Sequence, residues 1–372
     1  MDWNCFSLYQ FKQPYLIHHV ATPTPESIQP YDLLVKVAVA SYCHTDSMAL
    51  EGRVPGCHPP LTASHEGAGT VVVVGSSLSD VFNAGDRVMA GIPRDRCGQC
   101  MDCTHTSGSW MQYCSRRRGG IGLQLDGAFA EYMVIDGREA SKLPEGVSFL
   151  TAAPLACAGI TAWRGVATAN LIEGQWLCIV GAGGGLGHLA VQFAKAQGLK
   201  VIGIDARDEG IRLAKECGAD EVVDVRLGME AVVKNVQQWT GREWSNEERS
   251  LKNLGATATI NLSDAAEATA LACAVTAKHG RVVQIAQPED VIIPYVELVF
   301  RDITIVGSLT ANRTQAQEML DSVAKNGIRV ETNRFHGISE VPNIVKFAHS
   351  GKMKGKAVVI VDPTQVEDEF RP

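Results

Sequence analysis

The stretch Trp176-Leu177-Cys178-Ile179-Val180-Gly181-Ala182-Gly183-Gly184-Gly185-Leu186-Gly187 decides the fold. Its apolar start reads as a short buried strand, and the glycines that follow read as a tight turn. Apolar residues at helical spacing then run over 186–197 and stop at Gly198. Working outward in the C-terminal direction, the pattern predicts strands over 200–204, 221–225, 257–262, 281–286 and 303–306. Helices are expected between them over 209–217, 229–240 and 265–278. Such alternation with short connections predicts an α/β, doubly wound parallel sheet covered on both faces. The polar run 241–253 reads as a surface insertion. Beyond the sheet the pattern gives a helix over 314–325, a strand near 329–335, a helix over 339–350 and a last strand over 356–361.

A glycine turn between strand and helix lets backbone approach a pyrophosphate closely and aims amide N–H groups at it. Gly181, Gly184 and Gly187 mark the turn, with Gly183 and Gly185 between them and Leu186 opening the helix. The turn is one residue longer than the usual dinucleotide fingerprint. Asp205 ends the next strand, where an acid accepts hydrogen bonds from ribose hydroxyls and repels a 2′-phosphate. At about 4 Å and an effective dielectric near 20, one such charge pair is worth roughly 4 kcal/mol. NAD(H) is therefore expected ahead of NADP(H), with Arg207 and Arg212 close enough in sequence to soften the preference. The alternative is a glycine turn in a nucleotide-free domain.

On the N-terminal side, residues 1–155 read as β-rich, with strand-like runs over 33–39, 69–74 and 86–90. Gly, Pro and Asp break them often, as in a closed or strongly curved sheet. Residues 93–122 interrupt the pattern: a long irregular excursion that needs something to hold it. Within it Cys97, Cys100, Cys103 and Cys114 supply four thiols, a set that closes a tetrahedral structural zinc site. His105 is a competing donor, and uncoordinated or oxidised thiols are the alternative. A second set is spread through the chain: Cys43 in Cys43-His44-Thr45-Asp46, His65 in Ser64-His65-Glu66-Gly67-Ala68-Gly69, and Cys157. Two thiolates and an imidazole hold Zn²⁺ and leave a fourth position open, which separates a catalytic zinc from a structural one.

The composition narrows the rest. At 372 residues the chain is long enough for two domains, each with its own core. Its formal net charge of −7 argues against a general nucleic-acid binder, and Arg116-Arg117-Arg118 is too short to reverse that. No apolar run reaches the roughly 18 residues of a membrane span, and Met1-Asp2-Trp3-Asn4 lacks the features of a secretory signal. Eleven cysteines at short spacings, without such a signal, favour metal ligands over disulfides and suggest the cytosol.

With these pieces together, the chain resembles the zinc-containing medium-chain alcohol dehydrogenases, especially the tetrameric yeast and bacterial branch. The resemblance rests on the two zinc-type sets, on Gly127-Ala128-Phe129-Ala130-Glu131-Tyr132, on Cys157-Ala158-Gly159-Ile160-Thr161, on the glycine loop and on Val306-Gly307-Ser308. It implies a β-rich GroES-like catalytic domain (1–156 and 309–372, with a structural zinc lobe near 94–116) and an NAD-binding Rossmann domain (157–308). It also implies two zinc ions per chain, with Cys43, His65 and Cys157 holding the catalytic one. Thr45 would hydrogen-bond the substrate oxygen, Asp46 would orient His65, and Glu66 would lie beneath the metal as an alternate ligand. His44 and Lys356 would face the pyrophosphate and Thr161 the nicotinamide. The partner is then a small alcohol or carbonyl compound, and the assembly a homotetramer, with a dimer as the other option.

The sequence departs from the family in places. Met48 stands where many members have a relay histidine, and it cannot carry a proton. Val54 and Ile92 replace tryptophans of the yeast-type ethanol enzymes, which suggests a substrate bulkier than ethanol. Ser64 replaces the glycine before the histidine ligand, and the gap from Cys103 to Cys114 is longer than usual. Two other functions compete: a reductase of conjugated or cyclic carbonyl compounds in a specialised pathway, and a catalytically silent zinc- and dinucleotide-binding scaffold.

Overall fold

The computed structural model describes residues 2–21, 23–105, 110–242, 244–245, 247–248 and 252–368. The expected insertion over 241–253 lies partly outside them. The chain divides into two compact units, one of Met1–Ile160 with Ala311–Pro372 and one of Thr161–Thr310. Cys157 therefore belongs to the first unit, together with Cys43 and His65.

In the first unit, β1 (Asp2–Leu8) pairs with β2 (Leu16–Ala21) and with β4 (Leu61–Thr62). The main sheet is built on β3 (Asp32–Tyr42), a strand buried along nearly its whole length. On one side β3 pairs with β5 (Glu66–Val74), followed by β6 (Arg87–Met89) and β10 (Ser141–Lys142). On the other side lie β18 (Lys356–Ile360) and β17 (Thr332–His336), while β9 (Tyr132–Asp136) also pairs with β3. The C-terminal strand thus completes a sheet begun by the N-terminal part. Leu33, Val35, Val37, Phe82, Phe129, Met133 and Ile135 fill its core. The helices α1 (His44–Leu50), α3 (Phe149–Pro154), α9 (Arg313–Asn326), α10 (Val341–Ala348) and α11 (Pro363–Asp368) belong to this unit. Among the described residues the cysteine excursion holds a short two-stranded ribbon, β7 (Pro93–Arg94) with β8 (Gly119–Gly120), a helical turn, α2 (Met101–Thr104), and a 3₁₀ turn at Met111–Tyr113.

The second unit is the expected doubly wound sheet. Its strands are β11 (Trp176–Val180), β12 (Lys200–Asp205), β13 (Glu221–Asp224), β14 (Ala256–Asn261), β15 (Thr276–Gln284) and β16 (Thr304–Gly307). They run parallel in the order β13-β12-β11-β14-β15-β16. The order reverses between β11 and β14, and in such sheets ligands bind outside the carboxyl ends of the strands at that point. Helices α4 (Ile160–Ala169), α5 (Gly187–Ala196), α6 (Asp208–Glu216), α7 (Met229–Thr240) and α8 (Ala268–Val275) connect or flank the strands. The helix expected over 265–278 is shorter than its pattern: it ends at Val275, and β15 begins at once with Thr276. The helix expected over 339–350 is divided, with a 3₁₀ turn at Ile338–Glu340 before α10. Pro342 at the start of α10 has no N–H to continue the earlier turn.

Candidate metal centres and cofactor loop

The stretch that carries Cys43 sits where β3 ends and α1 begins. Asp46 closes this junction, its Oδ2 accepting the Cys43 N–H at 2.8 Å. Its other oxygen accepts the Ser64 N–H at 3.2 Å and lies 3.6 Å from His65 Nδ1. One carboxylate therefore joins the helix start to the residues before β5. Cys157 comes from the helical segment Leu155–Gly159 that follows α3. These elements bring one ligand atom each from Cys43, His65, Glu66 and Cys157 within 4.8 Å of one another.

The ionisable groups of this cluster hold one another's protons. Cys43 sits well below the usual thiol range because Cys157 donates a hydrogen bond to it and Lys356 and His65 bring positive charge. Cys157 is pushed well above that range by donating the bond and by burial. Burial opposes a charged His65, yet Asp46 and Cys43 overcome it and raise the imidazole pKa. Burial pushes the Glu66 carboxyl up to about 7, against the pull of Lys356, whose Nζ is 2.6 Å from Glu66 Oε2. Glu66 Oε1 accepts the Ala158 N–H at 3.2 Å, next to Cys157. Without an ion, protons shared among the sulfurs, the imidazole and the carboxylates balance the charge of this buried group. A divalent cation would take the place of those protons, leaving both sulfurs as thiolates and the imidazole neutral.

Thr45 is partly buried, with Oγ1 3.7 Å from the Cys43 sulfur, and His44 is exposed at the first position of α1. Lys356, expected at the pyrophosphate, is only 3 % exposed and is engaged by Glu66. Val54 packs with Ala49, Cys57 and Leu61, while Ile92 is buried beside Gly120 at the end of β8. Ser64, at a position the family pattern gives to glycine, has a positive φ of +70°.

The second cluster gathers Cys97, Cys100, Cys103 and Cys114, again within 4.8 Å. Sulfurs of Cys100 and Cys97 each lie 3.7 Å from that of Cys114. The N–H groups of Gln99 and Cys100 donate to Cys97 Sγ and bring its pKa down to about 6. Burial and hydrogen bonds to Cys114 and Cys100 push Cys103 up to about 12. His105 stands outside this cluster, its ring stacked on Trp110 with centroids 3.7 Å apart. Four thiols with N–H donors aimed at sulfur fit a closed tetrahedral zinc site.

In the second unit the glycine loop follows β11 as read. Gly181 has φ +84°, and a Cβ on Gly183 would stand 2.0 Å from the Gly210 carbonyl oxygen, so both positions require glycine. Gly184, Gly185 and Leu186 lead into Gly187 at the start of α5. Asp205, at the end of β12, is 6 % exposed. It accepts the N–H groups of Gly183, Ala206 and Arg207 at 2.9, 2.9 and 3.0 Å. A cavity of about 470 Å³ opens beside it, lined among others by Gly181, Gly184, Asp205, Arg207, Met229 and Leu271. Thr161 is buried on α4.

Comparison with known proteins agrees with these findings. Residues 29–145 match the alcohol dehydrogenase GroES-like domain, and residues 185–325 match the zinc-binding dehydrogenase family. The chain is 33% identical to alcohol dehydrogenase 1 of Emericella nidulans, covering 93% of this chain and 94% of that protein. It is also 33% identical to an alcohol dehydrogenase of Geobacillus stearothermophilus, covering 95% and 98%. Among solved structures, the alcohol dehydrogenase of the archaeon Aeropyrum pernix superposes with a TM-score of 0.82 at 28% identity, over 96% of this chain and 99% of that one. The chain belongs to the zinc-containing medium-chain alcohol dehydrogenase family.

Proposed function

We propose that this zinc-dependent oxidoreductase interconverts an alcohol and its aldehyde or ketone, with hydride passing to or from NAD(H), on a substrate bulkier than ethanol. The observation that carries the reading is the convergence of Cys43, His65 and Cys157, three ligands from separate elements, beside Thr45. Zinc held by these three would supply Lewis acidity, easing loss of the hydroxyl proton near neutral pH. The chain's own residues do the rest. Thr45 Oγ1 orients the substrate oxygen and accepts its proton while giving up its own, and Asp46 holds His65 and the start of α1 in register. Lys356 pairs with Glu66 and holds that side chain at the back of the site, out of competition with substrate. Met48, three positions past Thr45, cannot receive a proton, so the proton that the Thr45 hydroxyl gives up passes directly to water. Asp205 sets the preference for NAD, and the loop from Gly181 to Gly187 receives the pyrophosphate.

The same reading includes assembly into a dimer or tetramer. Its support is a run of exposed apolar side chains, Val291, Ile292, Tyr295, Val296, Leu298, Val299 and Phe300, leading into β16. Isolated surface apolar residues are ordinary, whereas a contiguous group of this size marks an interaction surface.

Two measurements test the function. Metal analysis is expected to give two zinc ions per chain. A panel of primary alcohols, lactols and enals with NAD(H) and NADP(H) is expected to show reversible alcohol oxidation, faster with NAD. Reduction of carbon–carbon double bonds alone, or a single zinc that disappears when Cys97 is replaced, would overturn the reading.

A further inference from the structure

His65 and Glu66 are consecutive, yet both present ligand atoms to one cluster. β5 begins only at Glu66, so His65 sits in the bend that feeds the strand, and the backbone leaves the extended form just before it. It does so at Ser64, whose φ is +70°, in the left-handed region that a residue with a Cβ seldom occupies. The surroundings hold that turn closely. The Ser64 N–H donates to Asp46 Oδ1, and its carbonyl accepts the Ala128 N–H at 2.7 Å. A Cβ on Gly122 would lie 2.3 Å from the Ser64 carbonyl carbon, and one on Gly127 2.0 Å from its oxygen. The side chain is fully buried and bridges two strands: Oγ donates to the Ser41 carbonyl on β3 at 2.9 Å and accepts the Glu66 N–H on β5 at 3.3 Å.

We infer that Ser64 is a positioning residue of the metal centre. Its hydroxyl clamps the left-handed turn to β3 and so fixes where His65 and Glu66 enter β5 beside the other ligands. The inference rests on the reading that Cys43, His65 and Cys157 hold zinc. Glycine would take the same φ at no steric cost, but it would leave the Ser41 carbonyl and the Glu66 N–H unbridged. Alanine would keep the steric cost and lose the bridge as well. The pair of variants therefore separates the hydroxyl from the backbone.

The test follows zinc release to a chelator in the wild-type chain and in Ser64→Gly and Ser64→Ala, with the four-cysteine site as internal control. Removing a hydrogen bond that orients a metal ligand typically weakens binding roughly 10- to 100-fold, so one of the two zinc ions should leave at least about 10-fold faster in both variants. The other should leave at the wild-type rate, and the visible absorption of the cobalt-substituted chain should change in both. Unchanged release and an unchanged cobalt spectrum would overturn the clamp. So would an effect confined to Ser64→Ala, which would assign it to backbone strain. If Ser64→Ala does not fold, Ser64→Gly, which relieves the backbone, still decides. A wild-type chain with one zinc overturns the parent reading, and the clamp falls with it.

Discussion

Thr45 lies at the second position of α1, partly buried, with a hydroxyl 3.7 Å from the Cys43 sulfur. If that hydroxyl orients the substrate oxygen, Thr45→Ala should lower kcat by roughly 10²-fold or more, as loss of one aimed donor commonly does. Thr45→Ser should keep most of the rate, and both variants should retain two zinc ions. A Thr45→Ala enzyme with wild-type turnover would remove Thr45 from the mechanism. Single residues of this kind were legible where chemistry restricts the choice of side chain. Thiols and an imidazole are among the few groups that bind zinc in competition with water, so Cys43, His65, Cys157 and the four-cysteine set could be picked from composition and spacing. Ser64 could not, because nothing in a serine announces a positive φ or a hydroxyl shared between two strands. Lys356 was legible as a charge, but its inward pairing with Glu66 depends on β18 lying beside β3, a contact across more than half the chain.

At the scale of elements, the C-terminal segment of the first unit is fastened by a cluster of hydrogen bonds around Asp362. Its Oδ2 lies 2.6 Å from Lys36 Nζ, and Oδ1 accepts from the Thr364 hydroxyl and N–H. Gln365 spans from Asp362 and the Lys36 carbonyl to Thr70, docking α11 on β3 and β5. Partial burial works against the Asp362 charge, yet Lys36, Thr364 and Gln365 hold its pKa down at about 2. A carboxyl depressed in the folded state adds stability that is fully present above its unfolded value near 3.9 and lost as pH falls towards about 2. The stability difference between wild type and Asp362→Asn, measured by denaturant unfolding, should therefore be constant above about pH 5 and shrink between about pH 4 and pH 2. A difference that stays flat over that window would remove the clasp. The cysteine lobe makes a second claim at this scale. Cys97→Ser should cost one zinc and melt residues 94–105 and 110–116 locally, seen as faster hydrogen exchange there, because binding worth on the order of 10 kcal/mol holds an otherwise irregular segment. Element boundaries were the weaker part of the sequence reading for a physical reason. Ala272, Cys273, Val275, Thr276 and Ala277 are all buried, so no polar face marks where α8 stops and β15 starts. The strand–turn–helix at 176–187 was legible because glycine there interrupts apolar periodicity on both sides.

For the whole molecule, the strand order of the second unit leaves β16 paired on one side only, by β15, among the described residues. An open strand edge presents unpaired N–H and C=O groups to any suitable strand, and folded proteins usually cover or charge such edges. Here the approach to the edge is apolar instead: Tyr295 is 70 % exposed, Val299 69 % and Phe300 70 %, directly before the edge strand. The charges within reach are spoken for, with Arg301 paired to Glu297 and Asp302 beside His279. A second copy of the chain would satisfy both features at once, since a two-fold axis pairs like strand with like strand and apolar run with apolar run. Each copy would cover backbone and side chains that water serves poorly. Val299→Glu combined with Phe300→Glu should then lower the mass measured by light scattering towards that of one chain, through charges buried without partners. Both zinc ions should be retained, because neither cluster lies in this unit. A wild-type chain that is already monomeric at micromolar concentration, or a double variant with unchanged mass, would exclude this surface as the interface.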